Sequence, residues 1–219
     1  MDWMVNAIEV VARGGFVMVP LVGCSIISVT FIVERFVRIR AAQRDVSEPV
    51  RRAETDIGKG NYRSAAEILD TVDSPVTRVL ASGIRSAHLG ERPAERAMEE
   101  QGTREVHELT RHFGTFDTIV TIAPLLGLLG TVTGMISAFN VIAAKEGIST
   151  PTAITGGVAE ALIATAAGLA VALGTLIFYN HFQERVKKIV TEIESRGSAM
   201  VNVLVDAGES SGETHKLSA

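Results

Sequence analysis

Residues 118–144 carry no charged side chain, and neither do residues 161–180, which follow after a short connection. A bilayer core of about 30 Å is crossed by roughly 20 apolar residues of helix. Inside it every backbone N–H and C=O must be bonded within the segment, so each such run is a helix. A third apolar run occupies residues 14–33. The remaining composition fits membrane helices: 47% of residues are hydrophobic, but only 5% are aromatic. Mean hydropathy is +0.27. The sequence predicts an all-α integral membrane protein with three transmembrane helices, the second and third extending into a cytoplasmic helical bundle.

A cleaved leader would begin with a positive region, whereas Asp2, Glu9 and Arg13 precede the first apolar run. ERFVRIR (residues 34–40) then follows it in place of a small-residue cleavage site. The run is therefore read as a retained span. Of the 21 Lys and Arg, 14 fall in residues 34–117, and five more follow the third span. Only Arg13 and Lys145 lie on the other side. The positive-inside rule places the N-terminus outside and the middle region and C-terminus in the cytoplasm. The predicted layout is a periplasmic N-terminus (1–13), a first span (14–33), a cytoplasmic helical region (34–117) and a second span (118–144). A short periplasmic loop (145–152), a third span (153–180), a cytoplasmic helix (181–207) and a disordered tail (208–219) complete it. The net charge of −4 excludes a nucleic-acid partner of the usual basic kind.

The cytoplasmic region reads as helices separated by turn signals. Gly58, Gly60 and Asn61 interrupt one pair, and Ser74 with Pro75 form an N-cap and first-turn proline. Gly90 ends the helix that they start. Met98, Gly102, Val106, Leu109, Phe113 and Phe116 recur every three or four residues, so one amphipathic helix is predicted to run into the second span. Phe182, Val186, Ile189, Ile193, Met200 and Val203 continue the third span in the same way. No strand pattern of useful length is present.

Packing within the spans is written in small residues. Gly127, Gly130, Gly134 and Ala138 line the second helix, and Gly157, Ala161, Gly168 and Ala172 line the third. Small residues let membrane helices approach closely, where lipid supplies no hydrophobic drive. Their presence on several faces of the third helix points to oligomerisation. Thr131 and Thr165 stand near the midpoints of their antiparallel spans, so they are predicted at similar depth. Glu160 is the one carboxylate in the third span, and placing an acid at a helix centre costs about 2.5–3.5 kcal/mol. It lies five residues outward of Thr165, a rise of about 7.5 Å. Glu160 with the two threonines is read as a polar, hydrated seam for protons or cations. For each threonine alone, a bond to its own helix carbonyl is the simpler account.

Other residues argue against chemistry. Cys24 is the only cysteine, which excludes an internal disulfide and a cysteine metal site. His107 and His112 are five apart, off the spacing of paired zinc ligands on a helix. Asp117 is read as a solvated helix residue or a rim charge, and Pro20 and Pro124 as structural. No phosphate loop or catalytic triad appears. Neither an enzyme activity nor a cofactor or metal is expected.

APLLGLLGTVTGMISAF (123–139), GGVAEALIATAAGLAVAL (156–173) and YNHF (179–182), with SPVTRVLASGI (74–84), resemble the MotA/TolQ/ExbB proton-channel family, and within it the ExbB/TolQ branch. The resemblance covers most of the chain. It implies a homopentameric inner-membrane ring around a single-span partner of the ExbD/TolR type, which brings an intramembrane Asp. By motif, Thr131, Glu160 and Thr165 match the family's pore-lining Thr, Glu and Thr. It also implies a TonB- or TolA-like protein that carries work to the outer membrane. A TonB-system subunit is the leading expectation, and a TolQ-like or motility stator role uses the same physics. From a different class, a non-conducting membrane scaffold would share the helices but pass no protons.

Overall fold

The computed structural model describes residues 14–144 and 151–217, with side chains for 14–140 and 155–208. The predicted periplasmic N-terminus and residues 145–150 of the predicted loop, with Lys145, lie outside the described residues. Among the described residues seven α-helices follow one another: α1 (Met18–Ala42), α2 (Ser47–Ile57), α3 (Tyr62–Asp70), α4 (Pro75–Ser86), α5 (Glu91–Thr110), α6 (Phe113–Ala144) and α7 (Pro151–Leu217). A short 3₁₀ turn, Ala87–Leu89, links α4 to α5. Among the described residues there is no strand. Three helical stretches of the described residues are long and apolar enough to cross a membrane.

The chain divides into two units. The membrane unit comprises residues up to Glu34 and His112–His181. Its interior is made by close approach of α6 and α7. A Cβ on Gly168 would lie 2.5 Å from Ala123 O, and one on Gly127 would lie 3.0 Å from the Thr165 Cα. Farther along, a Cβ on Gly134 would meet Gly157 O at 2.9 Å, and one on Gly157 would meet the Ala138 Cβ at 2.9 Å. The start of α1 closes this pair: Val17, Met18 and Leu21 pack with Ile119, Ala123 and Ala172. The large apolar residues face outward instead, among them Phe16, Leu128, Leu162 and Leu173. Pro124 sits inside α6, where it deletes the amide that would otherwise bond the Val120 carbonyl.

The polar unit comprises Arg35–Arg111 and the chain from Phe182 onward. Its core is Ile57, Leu69, Val76, Val79, Leu80, Ile84 and Met98, all buried. Turn chemistry sets the helix starts. Gly60 and Gly90 take φ of +80° and +109°, which glycine tolerates without Cβ strain. The Ser74 N–H donates to Thr77 Oγ1 at 3.3 Å, one arm of a capping box before Pro75. Asp45 accepts the Ser47 N–H, which holds its carboxyl below the usual range. Arg51 and Arg52 do the same for Glu48. Phe182, Val186, Ile189, Ile193 and Met200 of α7 are buried as their spacing predicts.

Two elements differ from expectation. The amphipathic stripe leading into the second span is broken at Arg111 and His112, where α5 ends and α6 begins. His112 has φ +69°. Its ring stacks on Phe31 with centroids 4.1 Å apart. On the other side of the break, Arg35 donates to Glu108 O at 2.8 Å, satisfying a carbonyl that a helix end leaves open. Secondly, α7 runs to Leu217, through most of the stretch predicted as a disordered tail. That stretch has no proline, and extending a formed helix needs no new nucleus. Gly208 and Gly212 cost it only about 1 kcal/mol each relative to alanine.

Candidate functional site

The glycine seam decides where the polar groups of the spans fall. Opposite Gly127 stands Thr165, whose Oγ1 donates to the Gly127 carbonyl at 3.0 Å. In an α-helix that same oxygen accepts the N–H of Thr131. One peptide oxygen thus links both threonines, but their hydroxyls do not meet. Thr131 Oγ1 donates to Leu128 O on its own helix at 2.6 Å. Thr133 likewise bonds Leu129 O at 3.0 Å.

The register corrects the depths. Gly127 lies against Thr165, Gly130 against Ala164 and Gly134 against Ala161. Thr165 is therefore level with Gly127, and Thr131 lies one turn farther, about 6 Å along the axis. Glu160 comes close to the level of Thr133. The span midpoints had put the two threonines side by side. Hydropathy gives the extent of a span, whereas the seam sets its register. The three polar residues form a staircase over about 7.5 Å, with Glu160 at one end and Thr165 at the other.

They also lie on different flanks. At 100° per residue, Glu160 and Thr165 are about 140° apart around α7. Thr165 turns toward α6. Glu160, half-buried, turns toward the first residues of the chain that the structure describes. A Cβ built on Gly15 would stand 1.7 Å from Glu160 Oε1 and 2.7 Å from its Cδ. Among the described residues no hydrogen bond joins any two of Glu160, Thr131 and Thr165.

Of the packing residues singled out from sequence, Gly127, Gly130, Gly134, Ala138, Gly157, Ala161 and Gly168 meet across the α6–α7 seam. Ala172 is buried in the cluster with α1. Asp117 is exposed. Cys24 packs partly buried against the α1 cluster. Among the described residues no group of three His, Cys, Asp or Glu is placed to hold a metal ion.

Three features escaped the sequence. Ser28 and Thr175 are buried and hydrogen-bonded at 2.7 Å between α1 and α7. Thr175 also donates to Val171 O at 2.8 Å, so Ser28 is the donor to Thr175. His112 lies 3.7 Å from the Glu34 carboxylate, beside its stack on Phe31. In the polar unit, Glu105 is buried and accepts from Arg78 Nε at 2.8 Å and from Gln101 Nε2 at 2.7 Å. This bond to Glu105 raises the Arg78 guanidinium above its ordinary range. Only the exception to the stripe, an acid next to buried positions, could have marked Glu105 in advance.

Comparison with known proteins adds a consistent set of relatives. Residues 71–195 match the MotA/TolQ/ExbB proton channel family. The chain is 34% identical over 176 residues to the putative biopolymer transport protein ExbB-like 3 of Synechocystis sp., covering 78% of this chain and 81% of that one. It is 32% identical over 187 residues to the Tol-Pal system protein TolQ of Pseudomonas aeruginosa, covering 80% of each. A putative biopolymer transport protein ExbB homolog of Methanothermobacter thermautotrophicus is 28% identical over 191 residues, with 86% and 67% covered.

Proposed function

The chain belongs to the MotA/TolQ/ExbB proton channel family, and on that premise we propose that it is the ring-forming subunit of an inner-membrane motor. With a single-span partner of the ExbD/TolR type, it converts proton motive force into mechanical work for TonB-dependent transport across the outer membrane. The ring is a homopentamer with its N-terminus in the periplasm and its C-terminus in the cytoplasm. Thr131, Glu160 and Thr165 border a hydrated proton path, and the partner's intramembrane Asp and a TonB-like protein complete the machine.

The observation that carries the proposal is Glu160, the one acid in an otherwise uncharged membrane helix, set on a staircase with two hydroxyls. Intramembrane acids are expensive and are functional by default. The rise of about 7.5 Å from Glu160 to the level of Thr165 is too far for direct transfer, so water must join them. A proton falling through 100 mV releases about 2.3 kcal/mol. Several protons could turn a loosely held partner, whereas one could not break a tight interface.

Reconstituting the chain with its co-purified single-span partner in liposomes tests this. Glu160→Gln should abolish most of the proton flux while leaving assembly normal. Flux that survives the substitution across a pH series would remove Glu160 from the path. A wild-type complex that assembles but conducts nothing would favour the scaffold. The TolQ relative, which matches over 80% of each chain, supports a second role in envelope integrity. Co-purification of a TolA-like rather than a TonB-like chain would select it.

A further inference from the structure

Gly15 has φ +70°, and two other glycines among the described residues also take positive φ, Gly60 at +80° and Gly90 at +109°. At Gly60 and Gly90 a Cβ would meet nothing within 4 Å, so the turn alone accounts for the glycine. Gly15 is different. The carboxylate of Glu160 occupies the place where its side chain would stand, with Oε1, Cδ and Cγ at 1.7, 2.7 and 3.2 Å from the Cβ position. Beside it, a Cβ on Gly14 would meet Met18 Cγ at 2.4 Å and Ile163 Cγ2 at 3.3 Å. The turn is fixed to the start of α1, because Met18 N–H donates to Gly15 O at 3.1 Å and Val19 N–H to Phe16 O at 3.2 Å.

We infer that the Gly14–Gly15 turn is a seat for the Glu160 carboxylate, which makes Gly15 a positioning residue for the channel acid. The role given to that acid rests on the function proposed above. The seat places the carboxylate against the turn that leads into α1, with its Oε1 and Cδ over Gly15. It also couples the first span to the third at the level of the acid. The obstruction at Gly15 is unlike that at Gly168, where a Cβ would strike the backbone of Ala123. At Gly15 it would strike the end of a flexible side chain. A methyl group there displaces the carboxylate and leaves the helices in place.

The test uses the full chain assembled with its single-span partner in liposomes. A hydrophobic carbodiimide labels Glu160 at one fixed pH, and mass spectrometry reads the rate. Gly15→Ala and Gly15→Asn should each change that rate by about twofold or more, the lower end of coupling between touching residues. Asparagine tolerates positive φ, so its effect reports the contact and not the backbone. Gly60→Ala carries the same backbone strain without the contact and should label as wild type does. On a Glu160→Asp background, whose carboxylate is withdrawn by one methylene, Gly15→Ala should have much less effect. Wild-type labelling in assembled Gly15→Ala and Gly15→Asn overturns the seat. If neither variant assembles, rescue by Glu160→Asp supports it and failure of rescue overturns it. Should Glu160→Gln keep full proton flux while the Gly15 variants shift labelling, the seat stands and the channel role of the acid falls.

Discussion

In the polar unit the fully buried side chains include Ile57, Leu69, Leu80 and Ile84. In the membrane unit the buried positions along the seam are glycines and alanines, and Leu125, Leu128, Leu162 and Leu169 stand outside. Water explains the first pattern, since each large side chain withdrawn from it contributes about 1.5–3 kcal/mol. Lipid makes no such distinction, and close backbone contact takes over as the organising force. The same leucine is therefore structural in one unit and a lipid- or partner-facing surface in the other. Hydropathy locates the membrane unit, but residue size locates the seam between α6 and α7.

The largest expected effect is a seam substitution. Gly168→Leu would force a side chain against Ala123 O and the Gly127 Cα, at 2.5 and 3.2 Å from its first carbon. Neither backbone group can rotate away, so α6 and α7 must separate. The variant should fail to accumulate as an assembled complex on size-exclusion chromatography. Leu169→Ala, one residue on but exposed, should accumulate normally. Normal assembly of Gly168→Leu would break the contrast between the units.

Next in size is the leucine swap itself. Leu80 is fully buried, and Leu80→Ala should cost about 2–5 kcal/mol. Leu128→Ala, exposed in the single chain, should fall within about 0.5 kcal/mol of wild type. Unfolding of the detergent-solubilised chain compares the two directly.

How legible these patterns were from sequence follows the same division. Periodicity exposed the α5 and α7 stripes because water rewards apolar spacing, and the small-residue spacing exposed the seam. The register of the seam was hidden, since a stagger of one turn leaves every apolar count unchanged. That stagger is why Thr131 and Thr165 stand at different levels. Gly15 beside Glu160 and Ser28 beside Thr175 were hidden for another reason: each pair joins residues far apart along the chain, and glycine and serine are ordinary in a span. The break at His112 was masked by an unbroken stripe. It depends on Arg35 and Phe31, which come from α1.

In the polar unit Glu105 is 6% exposed, and the Arg78 side chain that serves it is 42% exposed. Arg78 also pairs with Asp73. Glu105→Gln keeps an acceptor for part of this arrangement and should cost about 1–2 kcal/mol, reduced by solvent screening of Arg78. Arg78→Met should cost more, because it leaves a carboxylate buried without its cation. Chemical denaturation of both variants checks the order. A reversed order would mean that Gln101 alone satisfies Glu105.

The smallest effect belongs to the membrane counterpart. Ser28 and Thr175 share a buried bond of 2.7 Å, and intuition from a dry interior would make it strong. Two facts argue otherwise. Thr175 keeps its own bond to Val171 O when Ser28 is removed. In the unfolded reference state within the membrane, a serine also finds partners, so interhelical bonds average about 0.6 kcal/mol. Ser28→Ala should therefore weaken the unit by about that much. A double-mutant cycle with Thr175→Val isolates the pair from the lost packing. A coupling near 0.6 kcal/mol would leave the glycine seam as the principal bond between spans. A coupling above about 2 kcal/mol, beyond the usual range for such pairs, would make hydroxyl pairing an equal partner in holding α1 to α7.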